Sequence, residues 1–140
     1  MMKFLLASLL ALLLVACEKN DNEQPLSSSN DIILSQLLYS TAPADPFFID
    51  TVQISNDSII ISISYGGGCG TVVANLYDAE AIAESNPVQR SIRLSFKDND
   101  NCEALVKRDY AFNLKPVQLQ EYDKMFLNLT AWDEPLLYQY

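Results

Sequence analysis

Ser58-Ile59-Ile60-Ile61-Ser62-Ile63-Ser64-Tyr65-Gly66-Gly67-Gly68 is the stretch that decides the fold. Ile59, Ile61, Ile63 and Tyr65 fall on one side of an extended chain and Ser62 and Ser64 on the other, the two-residue period of a half-buried strand, and the glycines end it. Upstream, Asn56-Asp57-Ser58 reads as a turn from a strand over residues 50–55, so the two strands form a hairpin. Downstream, residues 71–77 make a third strand with Val72, Ala74 and Leu76 inward, closed by Asp78. Residues 79–85 are then expected to be a short helical or turn connection ending at Asn86-Pro87.

Further along, Val88, Ile92, Leu94 and Phe96 alternate with Gln89, Ser91, Arg93 and Ser95, which fits an antiparallel strand with one solvated face. Cys102, Ala104, Val106, Tyr110, Phe112 and Leu114 share a parity that Arg108 breaks, which predicts a long strand with a bend or bulge over residues 107–109, ended by Pro116. Residues 124–131 form another strand and residues 135–140 a short edge strand, while residues 31–39 suit strand or helix. Seven or eight short strands with turn signals between them predict an all-β domain over residues 31–140, an antiparallel two-sheet sandwich or Greek-key barrel.

The 140 residues suit one domain, and their charge narrows the function classes. With 18 acidic against 9 basic residues the chain would repel nucleic-acid phosphates, so no nucleic-acid partner is expected. The absence of histidine removes the commonest general base, the usual ligand of catalytic zinc and every Ser-His or Cys-His pair.

The amino terminus carries an address. One charge at Lys3 precedes an apolar run of about a dozen residues that stops at Cys17-Glu18-Lys19-Asn20-Asp21. This is too short for a membrane helix, which needs roughly 20 apolar residues, and has the layout of a secretory signal. Leu14-Val15-Ala16-Cys17 resembles a bacterial lipobox. That resemblance implies a signal peptide over residues 1–16, cleavage before Cys17, and a diacylglycerol and an acyl chain on that residue. At about 0.8 kcal/mol per buried methylene, several chains anchor the protein stably to a membrane.

Glu18 in place of aspartate after the lipidated cysteine resembles the pattern that favours the outer membrane. Residues 17–30, with one leucine among Asn, Ser and acidic side chains, form a flexible tether. Its acidic residues Glu18, Asp21 and Glu23 resemble the surface-export signal of Bacteroidota lipoproteins, and which face of the membrane the domain occupies stays open.

Two cysteines remain, Cys69 and Cys102, 33 positions apart in an exported chain, and they are expected to form a disulfide. Tyr65-Gly66-Gly67-Gly68-Cys69, followed by Asp100-Asn101-Cys102-Glu103-Ala104 and Tyr110-Ala111-Phe112-Asn113-Leu114, is similar to a pattern in small uncharacterised Bacteroidota lipoproteins. The resemblance implies an envelope address and a β-domain, and brings no activity with it.

Gly66-Gly67-Gly68-Cys69-Gly70 could cradle an anion, but without the Lys-Ser/Thr of a P-loop it reads as a turn or bulge with positive φ beside the disulfide. Asp98, Asp100 and Glu103 offer hard oxygen ligands of the kind calcium needs, although Glu103 stands where an EF-hand loop requires glycine. An Asx-rich turn is the default reading there. Asp109, Glu121, Asp123, Asp133 and Glu134 could supply a carboxylate pair for glycoside hydrolysis, a reaction that needs no histidine, but nothing fixes their spacing.

Trp132, Tyr138 and Tyr140 lie near the carboxy terminus, where exposed rings would make a stacking platform for sugars or a protein contact, with Tyr138 and Tyr140 the expected exposed pair. Together these features predict a membrane-anchored, non-enzymatic binding or structural module of the cell envelope, without further cofactors, whose partner is an envelope protein or a glycan. The alternatives are a carbohydrate-binding accessory of a glycan-uptake system and a small envelope hydrolase or hydrolase inhibitor.

Overall fold

The computed structural model describes residues 30–140. The expected signal peptide, the lipidated Cys17 and nearly all of the tether lie outside the described residues. Two sheets pack face to face and do not close into a barrel. One has four strands in the order β1 (Asn30–Asp31), β7 (Ala104–Asn113), β4 (Ser58–Gly67) and β3 (Phe48–Ser55). The other has five, β2 (Ile33–Leu34), β5 (Val72–Ala83), β6 (Val88–Asp98), β8 (Lys124–Leu129) and β9 (Leu136–Gln139).

The inward parities are those of the sequence. Ile59, Ile61 and Ile63 of β4 are fully buried, as are Ile92 and Phe96 of β6, and Phe96 packs at a tilt against Tyr65 with ring centroids 4.9 Å apart. The β3–β4 hairpin turns at Asn56-Asp57, with Asn56 at φ 51°, a left-handed conformation that asparagine tolerates.

Pairing differs from an all-antiparallel arrangement in three places: β1 on β7, β2 on β5 and β6 on β8 are parallel. The first two arise because residues 30–34 cross from one sheet to the other, with Ile32, 2% exposed, plugged between them. Residues 31–39 are therefore both strand and helix, since α1 (Gln36–Thr41) follows with Ser35 as its N-cap. Arg93 closes the other end of α1, donating to the carbonyls of Leu38, Tyr39 and Ala42.

Two local expectations are corrected. Residues 79–83 continue β5 through an irregularity between Asp78 and Ile82, because Glu80 takes φ 55° and its N–H donates to Asp78 Oδ1. The bulge expected over residues 107–109 is absent. β7 begins at Ala104, beyond Cys102, and runs in unbroken register from Ala104 opposite Gly67 to Asn113 opposite Ser58. Arg108 keeps its inward parity because this end of the sandwich is open and leaves it exposed. The four-stranded sheet bends instead in β3, where the register slips between Ile49 and Thr51.

Candidate functional site

Cys69 and Cys102 are joined in a disulfide, with Cα atoms 5.9 Å apart, tying the loop after β4 to the loop before β7. Asp100 holds the same two loops. Its Oδ2 accepts the N–H of Gly68 at 2.6 Å and of Cys69 at 3.0 Å, and its Oδ1 accepts the N–H of Cys102 at 2.9 Å. These amides, that of Cys102 foremost, hold the carboxyl down at about 2.

The glycine-rich loop therefore is an anion cradle, and the protein's own carboxylate fills it. Gly68 sits at φ 117°, and a Cβ on Gly70 would come within 2.6 Å of Asp100 Cα, so both positions need glycine.

This arrangement bears on the calcium expectation. Asp98 Oδ1 accepts the N–H of Asp100 in an Asx turn, and Asp100 spends both oxygens on backbone donors. Among the described residues, the group of candidate ligand atoms within 4.8 Å of one another is Cys69, Asp100 and Cys102, whose sulfurs are bonded to each other. Asp98, Asp100 and Glu103 thus do not gather as a ligand set, and Glu103 is exposed.

The late aromatics do not form a platform. Tyr138 is fully buried, and its hydroxyl donates to Asp57 Oδ1 at 2.8 Å and accepts from Gln118 Nε2 at 2.7 Å. Burial above all, with the Asp57 carboxylate beside it, pushes its phenol up to about 12. Trp132 packs partly buried against the core. Tyr140 leans on Tyr138 with centroids 4.9 Å apart, and its hydroxyl accepts the Leu119 N–H. The expected exposure of Tyr138 is corrected because the inward parity of β9, opposite Met125, carries the ring into the core.

Sequence reasoning missed a buried ion pair. Asp78, fully buried, and Arg90, 5% exposed, meet inside the sandwich, Nε on Oδ2 at 2.9 Å and Nη2 on Oδ1 at 2.5 Å. The signal was there: Arg90 falls on the inward parity between Val88 and Ile92, and Asp78 closes the inward run of β5. The carboxylates weighed for catalysis, Asp109, Glu121, Asp123, Asp133 and Glu134, are all exposed.

A surface groove of about 400 Å³ is lined by Lys115, Gln118, Leu119, Gln120, Tyr122 and Tyr140. It lies beside the single-turn 3-10 helix Lys115–Val117. Elsewhere, Phe48 and Leu105 are 76% and 74% exposed on the outer face of the four-stranded sheet, opposite Ser64 and Gly66 of β4.

No protein family's sequence profile matches the chain, and no curated protein does. Three solved structures share its fold. A NigD-like immunity protein from Bacteroides caccae aligns with a TM-score of 0.60 at 10% identity, over 79% of this chain and 59% of that one. A protein of unknown function, DUF1344, from Bacteroides vulgatus aligns at 0.53 and 15% identity, over 80% of this chain and 56% of that one. A toxin-related protein from Parabacteroides distasonis aligns at 0.50 and 17% identity, over 78% and 60%. The chain thus spans less than two thirds of each. At these identities the likeness is one of fold, an all-β architecture seen in Bacteroidales proteins of immunity-type or unknown function.

Proposed function

We propose that the chain is a lipid-anchored, non-catalytic module of the cell envelope that acts by binding another protein, in an immunity-type role. The observation that carries this reading is the outward placement of Phe48 and Leu105. Large apolar side chains exposed to three quarters of their surface stand on one sheet face, on the strands either side of β4, with Ser64 and Gly66 between them and the Lys107–Asp50 ion pair beside them. Asp78, Arg90, Ser95 and the Tyr138 hydroxyl are each satisfied inside the fold, whereas the Tyr110 hydroxyl is buried without a partner.

The anchor is tested by feeding cells an alkyne-bearing palmitate, which labels the full chain and fails to label Cys17→Ser. Absence of label on the native chain contradicts the anchor. For the partner, the full chain is isolated from native membranes in detergent. The co-purifying protein is lost when Phe48 and Leu105 are both replaced by serine, with the melting temperature unchanged; its retention contradicts the proposed face.

A second reading, a carbohydrate-binding accessory, is favoured by the groove beside Lys115. The Tyr122 ring is 44% exposed there, next to the Gln120 amide and the Lys115 ammonium, a stacking face with donors that suits a sugar. Titration with a neutral hexose oligosaccharide that shifts the Tyr122 resonances supports it, and silence in those resonances removes it.

A further inference from the structure

Strand β7 is hydrogen-bonded to β4 along its whole length, whereas β1 covers only Phe112 and Asn113 on its other side. The direction of the remaining backbone groups follows from two bonds. Ile32 N–H donates to Asn113 O at 3.0 Å on the β1 side, and Leu114 N–H donates to Asp57 O at 2.7 Å on the β4 side. N–H and C=O of one residue in a strand point the same way and alternate along it, so odd-numbered residues of β7 face away from β4. Among the described residues, the backbone N–H and C=O of Leu105, Lys107 and Asp109 meet no hydrogen-bonding partner.

We infer that this edge pairs with the same edge of a second copy, antiparallel, about a two-fold axis at Arg108. In that register Lys107 of each chain lies opposite Asp109 of the other, and both are the edge-facing type that exchanges two backbone bonds. Their side chains share the outer face, so each of the two positions also carries an ion pair. Val106 lies opposite Tyr110 on the inner face.

Neighbouring registers lose this match. An axis at Lys107 or Asp109 leaves no lysine opposite an aspartate, an axis at Val106 sets Asp109 against Glu103, and an axis at Tyr110 calls on Asn113, already held by β1. Arg108 opposes its own copy at the axis. Its guanidinium lies on the inward face with the Tyr65 and Tyr110 phenols of its own chain, and the Tyr110 hydroxyl is buried without a partner there. The ion pair from Lys107 to Asp50 within one chain spans 3.6 Å from a lysine that is 70% exposed, and is weak enough to be exchanged.

The test is cross-linking of the full chain in native membranes. Cα atoms of a directly opposed, non-hydrogen-bonded antiparallel pair stand about 4.5 Å apart, within disulfide reach. Arg108→Cys is therefore expected to give a reducible dimer band on oxidation that the native chain does not give. Adding Asp109→Lys sets lysine against lysine and should cut the band at least tenfold, and adding Lys107→Asp as well restores the match and the band. No dimer with Arg108→Cys, an unchanged band with Asp109→Lys, or no recovery in the charge swap overturns the inference. Retention of the Cys69–Cys102 bond in each variant shows that loss of the band is not loss of fold.

Discussion

Arg90 grips Asp78 with two nitrogens, at 2.9 and 2.5 Å, in a space from which both sheets exclude water. The pair joins β5 to β6 where the ladder between them slips, and Asp78 also receives the Glu80 N–H that shapes the slip. Removing one partner leaves the other charged, buried and alone. Asp78→Ala or Arg90→Ala should each lower unfolding free energy by about 3–5 kcal/mol in urea titrations, whereas Asp78→Leu with Arg90→Met should cost far less than either. Equal losses in the single and double variants would contradict the pairing.

Asp100 ties acid stability to the disulfide loops. Its carboxyl is held at about 2 when folded, below the ordinary carboxylate value near 4 of an unfolded chain, with the Cys102 N–H as the main cause. A depressed value means stability that is present above pH ~4 and lost as pH falls toward ~2. Asp100→Asn should therefore lower the melting temperature at pH 6 and flatten its decline between pH 4 and 2. A parallel decline in native chain and variant would refute the role.

Tyr138 sets the opposite limit. Its phenol, raised to about 12 by burial and by Asp57, stabilises the fold fully below pH ~10, the unfolded value, and loses that contribution as pH climbs to about 12. Alkaline melting curves of the native chain should fall across that window. Tyr138→Phe, with no proton to lose, should show a shallower fall.

Reduction of Cys69–Cys102 opens a loop of 33 positions, and by chain entropy the bond contributes about 3–4 kcal/mol. The double variant Cys69→Ser/Cys102→Ser should lose stability on that scale by urea titration at pH 7. Its circular dichroism should stay β-type, since Asp100 still bridges the two loops.

How far the sequence could be read depends on what each feature needs. Ile59, Ile61 and Ile63 announced their strand because the period of two is local, and the same holds for Val88, Ile92, Leu94 and Phe96. The parallel contacts of β1 and β2 carry no such period, being two residues long and set by Ile32 packing between sheets. The cradle around Asp100 was half legible: glycine amides suited an anion, but only the loop pairing shows that the anion is internal. Arg90 received no place in the alternation of its strand, and Tyr138 was expected outside for its nearness to the carboxy terminus; the parities of both put them inside, where Asp78 and Asp57 satisfy them.

The most direct measurement replaces Phe48 by a photo-crosslinking amino acid in the full chain and irradiates living source cells. As a protein-binding envelope module the chain should yield one discrete adduct with a different protein, identified by mass spectrometry and absent when the same group replaces Val73, which is exposed on the outer face of the five-stranded sheet. Adducts with lipid or solvent alone at Phe48, or the same adduct from Val73, would contradict binding through that face.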